Sequence, residues 1–293
     1  MDQHAPAVWR GEAAPAAHPG RLPLVYPAFR RLPPPVIVIG MHRSGTSLAA
    51  GMLSVLGVFM GPRLRLPAAD PVESGALRSS GYGEAAAFYR LNERLLAQAG
   101  AGWNRIEPFL ELREDACFER RAVRALQLAT FGSLRTGYLG SLQAAGTAAW
   151  GWKDPRNSLT VDYWLRLFPE ARLLHVRREL TAAADSLHRR AWEWVQAPPP
   201  ASSPVRLLLR WIAGRPAPPS PDPCLDRGYC LALAARYVDE CLRWRSLEER
   251  YLEVRYEDLV AHPAASADQL AWFARAPVFP QALRAAAALV ERR

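Results

Sequence analysis

The chain has 293 residues, is 50% hydrophobic and 22% charged, and carries a formal net charge of +9 with a pI near 9.9. This length and apolar content let it bury one substantial core and exclude a disordered or fibrous class. The basic balance favours an anionic partner, but Lys153 is the only lysine and no basic run is interleaved with aromatics, so nucleic acid is not indicated. Cys117, Cys224, Cys230 and Cys241 form no CxxC pair, and no histidine stands at metal-ligand spacing, so neither a metal site nor a disulfide framework is expected. Met1 to Gly20 lacks a signal-peptide core, and no run approaches the roughly 18 apolar residues of a membrane span. A soluble, cytoplasmic protein is the expectation.

In residues 1–34 scattered prolines break every helical or strand period, which reads as a flexible lead-in with folded structure beginning near Pro35. Val36 to Ile39 is a β-branched apolar run suited to a parallel strand covered on both faces, and Leu48, Met52, Val55 and Leu56 recur at helical spacing. Between them lies Gly40-Met41-His42-Arg43-Ser44-Gly45, a polar turn at a helix N-terminus. Unpaired N–H groups and the positive end of the helix dipole favour an anion there. Arg43, Ser44, Thr46 and Ser47 add a guanidinium and three hydroxyls. Gly61 to Ser80 is a proline- and glycine-punctuated connection of a length associated with function. Gly81-Tyr82-Gly83-Glu84 follows, then a helix from Ala85 to Ala97 with Phe88, Leu91 and Leu95 on one face. A further helical stretch spans Asp115 to Gln143, with internal glycines marking a break.

Ala148 to Trp152 reads as a short aromatic strand, followed at once by Lys153-Asp154-Pro155-Arg156. Asn157 to Phe168 is an amphipathic helix with Leu159, Tyr163 and Leu167 inward. Arg172 to Val176 is the next strand, succeeded by Arg177, Arg178 and an alanine-rich helix that carries Ser186 and runs to about Trp194. Three strands thus deliver polar or cationic groups at their C-terminal ends, the edge where open α/β sheets bind ligands. Residues 196–223 hold two proline clusters and read as a surface insertion. Cys230 to Glu249 is helical, Tyr251 to Tyr256 is a fourth strand, and the remainder is helical. Asp154 before Pro155 reads as a helix-start residue, His175 as a packed strand residue, and Trp150, Trp152, Trp192, Trp194 and Trp211 as scaffold.

The first loop fits a Walker-type pattern but fails at its decisive position, because the phosphate-reaching lysine would be residue 46, which is Thr46, and no strand ends in an acidic metal-organising residue. A loop with Arg43 and hydroxyls suits an anion that needs less neutralisation than ATP·Mg, such as a sulfuryl group.

The ordered set Gly40 to Ser47, Trp152-Lys153-Asp154-Pro155-Arg156, His175-Val176-Arg177-Arg178 with Ser186, and Arg255 to Leu259 resembles the sulfotransferases that use 3′-phosphoadenylyl sulfate (PAPS), specifically bacterial members similar to tyrosylprotein sulfotransferases. The likeness spans about Pro35 to Val260. It implies an α/β fold: a P-loop-like three-layer domain with a central parallel sheet flanked by helices, over residues 35–293 with the proline-rich insertion at 196–223. It implies sulfuryl transfer from PAPS to a hydroxyl of a glycan, small molecule or tyrosine, leaving adenosine 3′,5′-bisphosphate (PAP), without metal. Arg43, Ser44, Gly45, Thr46, Ser47 and Lys153 would hold the 5′-phosphosulfate side, Arg156 is a further cofactor-binding residue, and Arg178, or Arg177 if the register differs by one, would hold the 3′-phosphate with Ser186. Lys153 would assist the leaving oxygen, and Glu84 is the candidate general base with His42 as its rival. Leu180 departs from the family, where proline is common, and so does a C-terminal stretch without a glycine- and basic-rich closing loop. A nucleotide kinase or NTPase and a non-catalytic 3′-phosphonucleotide-binding module are the competing readings.

Overall fold

The computed structural model describes residues 25–61, 85–147, 149–196, 222–277 and 279–291. Among these, four strands pair in parallel in the order β2-β1-β3-β4: β1 (Val36–Ile39), β2 (Gly151–Lys153), β3 (Arg172–Arg177) and β4 (Tyr251–Arg255). The flanking helices begin with α1 (Pro27–Arg30), α2 (Thr46–Val55), α3 (Ala86–Gln98), α4 (Glu107–Leu112), α5 (Ala116–Phe131) and α6 (Gly140–Ala145). They continue with α7 (Asn157–Leu167), α8 (Leu180–Gln196), α9 (Arg227–Leu242), α10 (Tyr256–Ala261), α11 (Pro263–Ala274) and α12 (Pro280–Glu291). The expected α/β architecture with a central parallel sheet is therefore what forms. None of these helices is long and apolar enough to cross a membrane.

β1 is apolar throughout because both of its faces are covered. Ile37 and Ile39, with Trp152 and Leu173, pack into a core shared with α3, α5, α7 and α9; Val36 and Val38, with Leu174, Val176 and Val254, pack against α2, α11 and α12. The period-2 alternation of a strand assigns successive residues to the two layers. The first layer is aromatic: Phe88 stacks on Trp152 with centroids 4.1 Å apart, and Trp150, Trp164 and Phe168 surround them. Such a stack adds about 0.5–1.5 kcal/mol beyond area burial. Trp150 and Trp152 are scaffold as expected, whereas Trp192 and Trp194 on α8 are exposed. Trp211 lies outside the described residues.

Register aligns the strand ends that matter. Val38 pairs with Lys153 on one side and Leu174 on the other, and Arg177 pairs with Arg255. Because β2 and β3 lie on opposite sides of β1, the carboxyl end of β1 is the topological switch point, where a crevice opens in such sheets.

Four local differences from the sequence expectations have physical causes. The ordered fold starts ahead of Pro35: Val25 and Phe29 are buried, Tyr26 N–H donates to Thr130 Oγ1 at 3.1 Å, and Arg135 sits 4.6 Å over the Tyr26 ring. The two apolar side chains and the Tyr26 contacts dock that segment even though proline erases its period. β2 starts three residues later than expected and ends one later, at Lys153, because Ala149 and Gly151 first exchange backbone hydrogen bonds with Phe59. α4, which buries Phe109, is a single short helix, too brief for its period to show in sequence. α9 starts three residues early because the Asp226 carboxylate accepts from Tyr229 N–H at 2.8 Å and caps it, and it ends at Leu242 in a 3₁₀ segment broken at Glu248, where φ is 50°. The break expected within Asp115 to Gln143 falls after Phe131.

Candidate functional site

The β1–α2 loop is built on glycine. Gly40 has φ +139°, and a Cβ there would come within 2.4 Å of the Val176 carbonyl oxygen on β3. Gly45 has φ +95°, and its Cβ would meet the Tyr256 ring at 2.4 Å. Arg43 itself sits at φ +70°, a conformation that costs a non-glycine residue energy and is kept where surroundings over-determine it. Gly45 is the N-cap of α2 and no side chain caps that helix, so the first N–H groups and the positive dipole end are directed at the loop. The Ser44 hydroxyl is buried and meets no hydrogen-bond partner among the described residues. An orphaned hydroxyl beside an uncapped helix start fits an oxyanion, which accepts from both.

The β2–α7 turn is held from beneath by buried polar groups. Gly40 N–H donates to Ser158 Oγ at 2.9 Å, and Asn157 Nδ2 donates to the Val38 carbonyl at 3.1 Å. Asn92 on α3 donates to Asp154 Oδ2 and Asn157 Oδ1 at 2.8 Å each, and its carbonyl accepts from Thr160 Oγ1 and Trp164 Nε1. Asp154 is fully buried, and its other oxygen accepts from the Arg156 backbone N–H at 3.1 Å and from Arg156 Nη1 at 2.9 Å. Asp154 is structural rather than catalytic in its contacts but is not the helix N-cap the sequence suggested: α7 begins only at Asn157, after Arg156, and Asp154 instead ties the turn to Arg156 and Asn92. Lys153 is buried at the last position of β2, directly beside β1. Arg156, expected on the donor, has its Nε bonded to Glu93 and its Nη1 bonded to Asp154, and it lies 4.6 Å over the Tyr89 ring. Much of its guanidinium therefore fastens the turn to α3.

The third motif reaches the first loop directly. Arg43 Nε donates to Ser186 Oγ at 3.0 Å, and Arg178 Nη1 donates to the Arg43 carbonyl at 3.2 Å while lying 4.6 Å over the Tyr256 ring. Residues 43, 178, 186 and 256, from three strand ends, thereby form one continuous polar surface. Glu179 turns away from it: its carboxylate accepts from Thr181 N–H at 2.9 Å and Ala182 N–H at 2.6 Å, closing the start of α8. The Thr181 hydrogen bonds hold that carboxyl below the usual range.

His42 is nine-tenths buried, with its ring 4.5 Å from that of Trp103 and 6.3 Å from that of Tyr237. Its Nε2 is buried without a hydrogen-bond partner among the described residues. Burial, followed by the charges of Arg156, Arg190, Lys153 and Arg43, pushes the imidazole well below its ordinary range, so it is neutral at physiological pH. His175 is packed, its Nδ1 paired with the Tyr251 hydroxyl at 2.7 Å.

The described residues thus bring together Arg43, Ser44, Gly45, Thr46, Ser47, Lys153, Arg178, Ser186 and His42 at one sheet edge. Glu84 lies outside the described residues, as do the connection from residue 62 onward and residues 197–221 of the insertion. Ser158, Asn92 and Trp103 were not singled out from sequence, and Tyr256 was noted only as part of the Arg255 to Leu259 motif. Asn92 left one signal, a polar residue on the apolar stripe of Phe88, Leu91 and Leu95; Ser158 and Trp103 left none.

A family model described as Sulfotransferase family matches residues 34–203. No curated protein matches the chain. Among solved structures, the sulfotransferase domain of the Synechococcus PCC 7002 olefin synthase is similar at 20% identity, over 86% of this chain and 76% of that chain, with a TM-score of 0.45. Sulfotransferase STF9 from Mycobacterium avium is similar at 19% identity, over 89% of this chain and 69% of that one, with a TM-score of 0.47. Retinol dehydratase, solved in complex with androsterone and inactive cofactor PAP, is similar at 15% identity, over 89% of this chain and 65% of that one, with a TM-score of 0.34.

Proposed function

Because the chain belongs to the sulfotransferase family, we propose that it transfers a sulfuryl group from PAPS to a hydroxyl acceptor, through one domain that begins ahead of Pro35 with the docked Val25 and Phe29. The observation that carries this reading is the contact of two cationic motifs. The uncapped α2 start with Arg43 and the orphaned Ser44 hydroxyl meets Ser186 and Arg178 within hydrogen-bond distance. A donor with a phosphosulfate at one end and a separate 3′-phosphate at the other needs two such anion sites side by side. The carboxylates Asp154 and Glu179 near the strand ends are spent on Asn92 and Arg156 and on the start of α8, which disfavours a triphosphate·Mg ligand.

When bound, PAPS supplies a sulfuryl group on an anhydride oxygen, and transfer proceeds in line through a loose transition state, so positioning and charge neutralisation dominate. Arg43, Ser44, Gly45, Thr46 and Ser47 would hold the phosphosulfate oxygens. Arg178 and Ser186 would hold the 3′-phosphate. Lys153 would neutralise the electron pair left on the phosphate oxygen as the old sulfur–oxygen bond breaks. The acceptor oxygen forms the new bond to sulfur and gives its proton to Glu84 or to the neutral His42. The buried network of Asn92, Asn157 and Ser158 would keep Lys153 and Gly40 in register. A bacterial, cytoplasmic setting belongs to this reading, and the four free cysteines agree with a reducing compartment.

A thermal-shift titration with PAP and with ATP·Mg tests the donor class. Stabilisation by PAP is expected, and stabilisation by ATP·Mg alone would overturn the proposal. Transfer of labelled sulfate from PAPS across sugars, phenols and tyrosine peptides then identifies the acceptor; no transfer to any of them would leave a binding module.

A further inference from the structure

We propose that Trp103 is a positioning residue, which holds the His42 imidazole fixed and dry beside the anion-binding loop. The inference rests on the reading of His42 as a proton acceptor in sulfuryl transfer, and it adds a residue to which no motif points.

The Trp103 ring lies 4.5 Å from the His42 ring at 50°, close enough to shed water from it. Trp103 is carried on a short turn that closes on itself, Gly102 N–H to the Arg105 carbonyl at 3.0 Å and Arg105 N–H to the Gly102 carbonyl at 3.1 Å. That turn is fastened from behind by two phenols of α9. Tyr237 donates to the Trp103 carbonyl at 2.8 Å, and Tyr229 donates to the Asn104 carbonyl at 2.7 Å. A third tether runs from Asn104 Nδ2 to Asp222 Oδ1 at 2.8 Å. Three anchors on the two residues Trp103 and Asn104 hold an aromatic ring that is itself only half-buried, which is more than packing the core requires. What the anchored ring covers is a polar one: His42 Nε2 is buried and unbonded among the described residues.

The electrostatics agree with this geometry. Arg43 from the same loop, Lys153 from β2, Arg156 from the following turn and Arg190 from α8 all disfavour the imidazolium, and burial is the largest contribution. From α9 the facing group is Tyr237, whose phenol burial keeps protonated. The cations remain when Trp103 is removed, but the burial does not, so the two contributions separate in a single variant.

The test is histidine-selective NMR titration of the full chain, with the signal of His42 assigned among the six histidines through His42→Asn. In the parent protein His42 is expected to titrate below the ordinary value. Trp103→Ala moves the midpoint upward by about one pH unit, a tenfold change in the proton equilibrium, while Trp103→Phe restores it. Tyr237→Phe, which removes one anchor and leaves the core filled, shifts it the same way by roughly half as much. PAP affinity stays within about threefold throughout, because the donor loop is intact. An unchanged His42 midpoint in both Trp103→Ala and Tyr237→Phe overturns the proposal. The acid limb of PAPS hydrolysis, measured as PAP release to water, separates the two readings. If the limb follows the midpoint, both stand; if the midpoint moves and the limb does not, Trp103 still positions His42 but the proton goes to Glu84.

Discussion

Helices α2 and α8 both start at the carboxyl edge of the same sheet, after neighbouring strands, and both present the positive end of a dipole there. They are finished in opposite ways. At α8 the Glu179 carboxylate accepts the Thr181 and Ala182 N–H groups, so a protein anion already occupies the site that an external one would take. At α2 the N-cap is Gly45, which has no side chain to accept anything, and the neighbouring Ser44 hydroxyl is buried without a partner among the described residues. Arg178 stands next to Glu179 but reaches away from α8 to the Arg43 carbonyl on the α2 loop. The contrast teaches that what is left out of the cap decides whether a helix start keeps its N–H groups open to an outside anion. It also explains why residues 178 and 179, adjacent and oppositely charged, serve different helices.

The largest effect expected lies at the open terminus. Lys153→Met should lower PAPS turnover by about 10²–10³-fold, the cost of removing one preorganised charge at a leaving group, while PAP still binds; turnover within a few-fold of the parent would remove Lys153 from the chemistry. Next, Arg43→Ala and Arg178→Ala should each weaken PAP binding by roughly 10–100-fold in calorimetric titration, as expected for lost charge-assisted hydrogen bonds. If neither changes affinity, the open terminus is not the donor site. Glu179→Ala should lower the melting temperature while leaving PAP affinity within about threefold; a loss of affinity as large as that of Arg43→Ala would break the distinction between the two helix starts. The smallest effect is a control away from both. On β4 the neighbouring His175, then Arg245, hold the Glu253 carboxyl down to about 2. A depressed carboxyl contributes stability above its ordinary range, near pH 4.5, and that contribution is lost as pH falls towards 2. The stability difference between the parent and Glu253→Gln should therefore shrink between pH 5 and pH 2 in chemical denaturation, with no change in PAP binding.

The open terminus could be read from sequence because its signals are local. Val36 to Ile39 is apolar on both strand faces, Gly40 and Gly45 bracket a polar turn, and no acid occurs within it. The same holds for Lys153 and Arg178, which follow recognisable strands. Residues 25–34 carry no period because proline hides it, yet burial of Val25 and Phe29 together with the Tyr26 contacts docks them. Arg156 reads in sequence as a ligand-binding arginine beside Lys153, yet two of its nitrogens bond Glu93 and Asp154, the first on a helix 63 residues away in the chain.

Sequence by itself determined the strand–turn–helix at residues 36–55, the parallel α/β class and the identity of the cationic groups, because each depends on short-range periodicity and turn chemistry. Only the tertiary structure decided that Arg43 meets Ser186, that Tyr256 closes over Gly45 and that Trp103 covers His42. Those contacts join residues 60 to more than 200 positions apart, and their geometry is fixed by strand register and helix packing, which no local pattern encodes.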